Sequence, residues 1–436
     1  MKFKIAFINC IMIFVFSFAF AQQENIVTYD IDNFWKAYDK ITATKDSAQQ
    51  YAIINEMFIS KGSPGLKAIM QVRDYTDRSY IQAINNYPLF WQSIRPNTLR
   101  AKSLASEIEK GVQKLKTIYP ATKPAKVYFT IGALRTGGTT LDSMVLIGCE
   151  IGLADKTTVT KEFPANMGHL RPYFDTDPIR NIHFNNVHEY VHTQQKITIC
   201  DNLLGQCVME GVAEFVAVKA TGKASTTPSF TYGKANEEKV RNKFATQLYN
   251  AFTGFWLYSN GENEFGQRDL GYYVGYAICE RYYAKAKDKK QAVKEMIQLD
   301  YNNEAALEDL VNRSGYFSKP LKELKAAYEQ SRPVVTGIRE FENNNKNVSS
   351  SITTISFDFS EKMDKAFRNF EFGPLGESAV LRFANFRGFA EDGKSISFDI
   401  KLEPGKQYQI VLGPGFRTES GISLQPYLVD FRTADK

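Results

Sequence analysis

The sequence predicts an α+β chain in two parts, a mostly helical region with a small sheet followed by an all-β module. Three observations predict it. Between about Ile31 and Tyr119, apolar residues recur at three- and four-residue spacing in DNFWKAYDKI, QQYAIINEMFI and SLASEIEKGVQKLKTIY. Two runs that follow, KVYFTIGAL and MVLIGCEI, switch to strand character. Beyond Ser331-Arg332-Pro333 the helical period disappears and short alternating runs take over.

At the N-terminus, Lys2 and Lys4 precede an apolar run from Ile5 to Phe20 that closes on Ala19-Phe20-Ala21, the pattern of a secretory signal ending at residue 21. A retained anchor is the alternative, but the run is short for a spanning helix and has no basic flank behind it. Cys10 lies inside the run, which argues against a lipid-anchored chain. No later segment is apolar enough to span a bilayer, so the expectation is a periplasmic or extracellular protein without stable membrane insertion.

A chain of 436 residues exceeds one typical domain. The composition shift divides the mature part into residues 22–330 and 331–436. The N-terminal helices are punctuated by GSPG at 62–65, Pro96 and Pro120. In KVYFTIGAL, Val127, Phe129 and Ile131 alternate. This strand is either an ordinary sheet member or one that pairs with an extended peptide beside a cleft. RTGGTTLDS reads as a turn-rich link, and helices return from about Pro178 to residue 330. In the last hundred residues Ile355, Phe357 and Phe359 alternate, as do Ile396, Phe398 and Ile400. Tyr408, Ile410 and Leu412 follow, then Tyr427, Val429 and Phe431, with EDGK, EPGK and GPG as turns. That spacing predicts a β-sandwich.

A net charge of +6 with no dense basic run argues against a nucleic-acid partner. Cys149, Cys200, Cys207 and Cys279 contain no C-x-x-C pair, which excludes a cysteine-rich zinc site. Cys200 and Cys207 either close a small disulfide loop or remain free thiols.

The most specific signal is His188-Glu189-Tyr190-Val191-His192. On a helix, residues four apart share a face, so both imidazoles can meet one ion, while the intervening glutamate stands beside it as a general base for water. A catalytic zinc needs a third protein ligand and an open position. The CVMEGVAEF segment supplies Glu210 and Glu214 one turn apart, and spacing alone admits either. Gly211 and Ala213 are small enough to let this second helix approach the first. His183, five residues before His188, points to a different face, His169 in GHLRP reads as a lone loop histidine, and Asp177 before Pro178 reads as a helix N-cap.

HEYVH followed by EGVAEF resembles the gluzincin metallopeptidases. That resemblance implies that His188, His192 and Glu210 hold Zn²⁺, that Glu189 is the base, and that Glu214 holds a histidine ring. VYFTIGALRTGGTTLDSMVLIGCE, NNVHEYVHTQQ, EGVAEF and DLGYYVGYAICERYY together are similar to a bacterial family described as predicted zinc-dependent proteases, over roughly residues 120–290. Among Tyr272, Tyr273 and Tyr276, the family's Y-x-x-G pattern implies Tyr272 as the group that steadies the oxyanion. The G-x-M-E-N motif of gluzincin aminopeptidases is absent, so N-terminal exopeptidase action is not implied. The segments ITTISFDFSEKMDK and LEPGKQYQIVLGPGFRTESGISL resemble bacterial Ig-like domains, which implies a spacer or adhesion module. The expected function is that of an exported zinc metallopeptidase acting on a peptide or protein. A zinc hydrolase of another substrate and a non-catalytic envelope binding or assembly protein are the rivals. Glu189 argues against the last of these, because a purely structural site has no need of it.

Overall fold

The computed structural model describes residues 25–197, 199–225, 227–258 and 263–435. The expected signal segment at residues 1–21 lies outside them. No helix among the described residues is long and apolar enough to cross a membrane.

Among the described residues, a short strand at Ile26–Val27 is followed by six α-helices: Tyr29–Thr42 (α1), Ser47–Ile54 (α2), Pro64–Val72 (α3), Asp77–Asn86 (α4), Pro88–Thr98 (α5) and Ala101–Ile118 (α6). Their inward stripes share an aromatic core in which Phe34 contacts Trp35, Phe58 and Trp91. Buried Asp30 at the start of α1 accepts the Ser63 backbone N–H at 2.8 Å and its hydroxyl at 2.5 Å. The Ser63 hydroxyl in turn caps α3 by accepting the Leu66 N–H.

A four-stranded sheet follows, built from Ile26–Val27 (β1), Lys126–Thr130 (β2), Thr139–Leu141 (β3) and Met144–Gly148 (β4) in the order β1-β2-β4-β3. β2 runs parallel to both β1 and β4, whereas β3 is antiparallel to β4. Two sequence expectations change here. β2 is flanked on both sides, so it has no open edge for a peptide; the edge strands are β1 and β3, and β3 lies inside the segment expected to be only a turn-rich link. The second strand also stops at Gly148, where Cys149–Gly152 turns into a short helix (α7).

The remaining helices are Leu170–Phe174 (α8), Ile182–His192 (α9), Leu203–Thr221 (α10), Pro228–Ala235 (α11), Glu237–Phe244 (α12), Leu270–Lys285 (α13), Lys289–Gln298 (α14), Glu304–Ser314 (α15) and Leu321–Ser331 (α16). α10 is buried nearly all round, as its apolar sequence requires, with α9 and α6 on one side and α13 on another. Gly211 of α10 faces Gly275 of α13 so closely that a Cβ on it would stand 2.0 Å from the Gly275 carbonyl carbon. The small residue expected to admit α9 therefore admits α13 instead.

The C-terminal strands are Val335–Ile338 (β5), Thr354–Phe359 (β6), Phe370–Glu371 (β7), Phe383–Phe389 (β8), Ser395–Ile400 (β9), Gln407–Leu412 (β10) and Tyr427–Arg432 (β11). They form two sheets, β5-β6-β9-β8 and β11-β10-β7. Phe357, Phe398, Ile410, Leu412, Val429 and Phe431 from the two sheets share a hydrophobic core distinct from that of the helical region. The two bodies touch around Arg417. Its guanidinium, on a residue only 4% exposed, lies 3.5 Å from the ring centre of Phe252 and 3.4 Å from that of Phe367. A desolvated cation between aromatic faces gains about 2 kcal/mol. Gln247 donates to the Ser420 carbonyl, and Arg332 donates to the carbonyls of Ser423 at 3.1 Å and Leu424 at 2.5 Å. Cys149, Cys200, Cys207 and Cys279 are free thiols, so the 200–207 loop is not closed by a disulfide.

Candidate metal centre

α9 presents His188 and His192 one turn apart, and α10 brings Glu210 to the same point. The two Nε2 atoms are 3.1 Å apart, and Glu210 Oε2 lies 3.2 Å from that of His192 and 3.4 Å from that of His188. All three residues are buried.

The outer hydrogen bonds decide which ring atoms face inward. His188 Nδ1 meets Glu214 Oε2 at 2.8 Å, and the other Glu214 oxygen accepts from the Ser225 hydroxyl. His192 Nδ1 meets Gln195 Oε1 at 2.6 Å. The Gln195 amide nitrogen is committed to the Met209 carbonyl at 2.9 Å and the Tyr301 hydroxyl at 3.0 Å, so its oxygen is the atom turned to the ring. Both imidazoles therefore carry a proton on Nδ1, which leaves Nε2 as the atom that can give a lone pair to an ion. Two such lone pairs beside a carboxylate oxygen repel one another unless a cation stands between them. Donors held about 2.0–2.1 Å from a tetrahedral zinc are about 3.3–3.4 Å apart, close to the spacing found here. The donor set fits zinc. Spacing in the sequence admitted either Glu210 or Glu214; the fold puts Glu210 inside the triangle and Glu214 behind His188.

Glu189 and His188 line a cleft of about 220 Å³ together with Gly137, Gly138, Tyr173, Asp269 and Tyr272. A Cβ at Gly138 would stand 2.7 Å from Glu189 Oε1, so a larger residue there would push the carboxylate aside. Burial pushes the Glu189 carboxyl above its ordinary value, with His188 and His192 opposing the shift. The loop carrying Gly137 and Gly138 is fixed by Glu150, whose fully buried carboxyl accepts the N–H groups of Gly132 at 2.8 Å and Leu134 at 3.1 Å. Burial raises that carboxyl to about 7.

The tyrosines of α13 part company. The Tyr272 ring lies 6.2 Å from that of His188 and lines the cleft, and desolvation holds its hydroxyl well above the usual pKa. Tyr273 donates to Glu237 and Tyr276 to Glu280, away from the cluster. His169 and His183 stand outside the cluster. Asp177 is at the start of the 3₁₀ turn Pro178–Asn181, but with φ of 52° and no side-chain capping bond; its carboxylate accepts from the Lys156 N–H at 3.2 Å instead. The expected cap is therefore not made.

Sequence reasoning missed Gln195 as the orienting partner of His192, although i+3 spacing after a ligand on the same helix end could have suggested it. It also missed Tyr173, Ser225 and Tyr258. Tyr258 donates its hydroxyl to Glu210 Oε1 from a segment with no local signal. A second depression of about 400 Å³ at Ala235, Asn236, Glu237, Glu238, Lys239 and Asn242 contains none of these groups.

A family model described as "Predicted Zn-dependent protease" (DUF2268) matches residues 178–303. The match covers α9, α10 and α13, the helices that carry His188, His192, Glu210 and Tyr272, and it supports a zinc-dependent protease in general terms. No curated protein matches. A solved structure of the S-layer protein rSbsC aligns at 12% identity over 93% of this chain and 45% of that one. Its TM-score of 0.18 is too low to indicate a common fold.

Proposed function

We propose that the chain is an exported zinc-dependent peptidase of the gluzincin type, with an Ig-like module at its C-terminus. The observation that carries the reading is the buried triangle of His188, His192 and Glu210 opening on the same cleft as Glu189. Bound there, zinc would supply a Lewis acid and a water acidified toward neutrality. The protein groups do the rest. Glu189, desolvated and backed by Gly138, takes a proton from the attacking water and returns it to the leaving amine. The hydroxyl of Tyr272, held protonated by burial, donates to the carbonyl oxygen as charge develops on it. The open edge of β3, next to Gly137 and Gly138, is suited to an extended peptide because its unpaired backbone groups can continue the sheet.

The test is Glu189→Gln in the purified mature chain, assayed for zinc content and for cleavage of an unfolded protein. The variant should keep about one zinc per molecule and lose about 10²–10⁴-fold in turnover. Turnover equal to the parent would remove Glu189 from the mechanism, and a parent with zinc but no peptide cleavage would leave a hydrolase of another substrate.

A further inference from the structure

We infer that Tyr258 positions the third metal ligand and that the C-terminal sheets hold Tyr258 in place, so that the β-module is a working part of the metal centre. The inference rests on the zinc reading of His188, His192 and Glu210 given above. It begins with one proton. The Tyr258 hydroxyl accepts a hydrogen bond from Gln206 Nε2 at 3.0 Å, so its own hydrogen goes to Glu210 Oε1. Gln206 lies one α10 turn before Glu210, and both partners of the hydroxyl are therefore on one rigid helix. Oε1 is the carboxylate oxygen turned away from the histidines, whereas Oε2 faces them. Occupying Oε1 fixes the carboxylate's rotation and keeps Oε2 aimed at the ion, as the outer partners of metal ligands commonly do.

Tyr258 is placed by constraint and not by regular structure. Its φ is +61°, a conformation rarely adopted by a bulky residue, and its N–H is held by Asp269 Oδ1 at 2.8 Å. Its ring meets Tyr272 edge-on at 6.3 Å, so the same side chain touches a ligand and a wall of the cleft. The segment leading into it is anchored on the β-module. Phe252 and Phe255 lie against Arg417, with Phe367 on the other face of the guanidinium. Gly421 approaches Phe255 so closely that a Cβ would stand 2.7 Å from the ring. Buried Trp256, two residues before Tyr258, donates to Gln247 Oε1 at 2.7 Å, while the amide of Gln247 donates to the Ser420 carbonyl. The chain of contacts runs from Arg417 and Ser420 through Phe252, Gln247 and Trp256 to Tyr258 and Glu210.

The experiment uses the full mature chain. Zinc affinity is measured by competition with a chromogenic chelator, the visible spectrum is recorded with cobalt(II) in place of zinc, and the melting temperature is taken metal-free. Tyr258→Phe removes only the hydroxyl and should weaken zinc about 10–100-fold. It should also alter the cobalt spectrum while leaving the metal-free melt unchanged. Arg417→Lys, which loses the planar stack, should weaken zinc in the same direction, and Phe367→Leu provides a second, exposed perturbation of that contact. Combined with Tyr258→Phe, neither should weaken zinc further, because both act through the same hydroxyl. Zinc affinity within twofold of the parent for Tyr258→Phe, with an unchanged cobalt spectrum, overturns the inference and leaves the peptidase reading standing. Effects that multiply in the double variants overturn the link to the β-module. A parent chain that binds no zinc overturns both readings.

Discussion

Replacing Gly275 by alanine should damage turnover more than metal binding, and the geometry of two helices says why. A Cβ at Gly275 would stand 1.8 Å from the Cys207 carbonyl oxygen and 2.9 Å from the Gly211 Cα. Ordinary contact begins at 3.4 Å, so the carbonyl contact is short by about 1.6 Å and both obstacles are backbone. No rotamer change relieves that; α13 must move away from α10. α10 is backed by α9 and α6, so α13 is expected to yield, together with α11 and α15, which pack against it. Overpacking of this kind costs about 1–3 kcal/mol, and the backbone clash places this case near the top of the range. At about 2–4 °C per kcal/mol, the melting temperature should fall by roughly 5–10 °C. Tyr272 rides on α13, whereas His188, His192 and Glu210 ride on α9 and α10. A displacement of about 1 Å at a positioned group can cost about 100-fold in rate, so turnover should drop by that order while zinc affinity stays within a few-fold. The assays are thermal melts, chelator competition and cleavage of an unfolded protein. Gly337→Ala is the control, because its Cβ meets nothing within 4 Å and its φ is not positive. Gly275→Ala melting within 1 °C of the parent would refute the close glycine contact, and loss of zinc in step with turnover would refute the division between α10 and α13.

The remaining predictions concern the ligands and the loop beside them. Glu210→Ala should weaken zinc more than Glu214→Ala, since the first removes a donor atom and the second only the partner of His188 Nδ1; chelator competition giving the reverse order would exchange their roles. His192→Ala should lose both zinc and hydrolysis, as measured by metal analysis and turnover. Glu150 keeps its proton to about pH 7 in the folded chain and to about 4.5 unfolded, so the native state binds the extra proton between those values and stability falls as pH rises through them. The shift corresponds to about 3 kcal/mol. Urea unfolding at pH 5 and pH 8 should show that slope in the parent and its loss in Glu150→Gln; equal slopes would show that Glu150 is not the group responsible.

Local patterns carried the sequence a long way toward the site and stopped where contacts became long-range. The four-residue spacing of His188 and His192 needs only helix geometry, and the alternating residues from Ile355 to Phe431 need only the pleat. The choice between Glu210 and Glu214 was beyond spacing, because one turn of α10 separates them and only the packing angle against α9 selects one. β3 escaped notice because three residues, TTL, give no measurable alternation and pair only through β4. The direction of Gly211 was misread for a related reason. A small residue advertises a close neighbour without saying which, and the matching Gly275 is 64 positions along the chain. Tyr258 had no pattern to reveal it, since its place follows from the long-range contacts with Asp269 and Gln206.

The backbone strain around the cleft has a common physical design. Among the described residues, the non-glycine positions with positive φ are Asp74, Leu134, Asp142, Asp177, Tyr258, Asp269 and Asn344. Asp and Asn tolerate that region, whereas Leu134 and Tyr258 do not. Each of the two costs about 1–3 kcal/mol and persists only if its surroundings over-determine it. In both cases a carboxylate accepts the strained residue's own N–H: Glu150 for Leu134 and Asp269 for Tyr258. One lies in the loop that brings Gly138 against Glu189, the other ends the segment that reaches Glu210. A relaxed backbone at Leu134 would redirect the chain three residues before the glycine pair, and one at Tyr258 would withdraw the hydroxyl from Oε1. The two carboxylates thus hold in place the segments that neither helix packing nor the sheet can fix, one on the side of Glu189 and one on the side of Glu210.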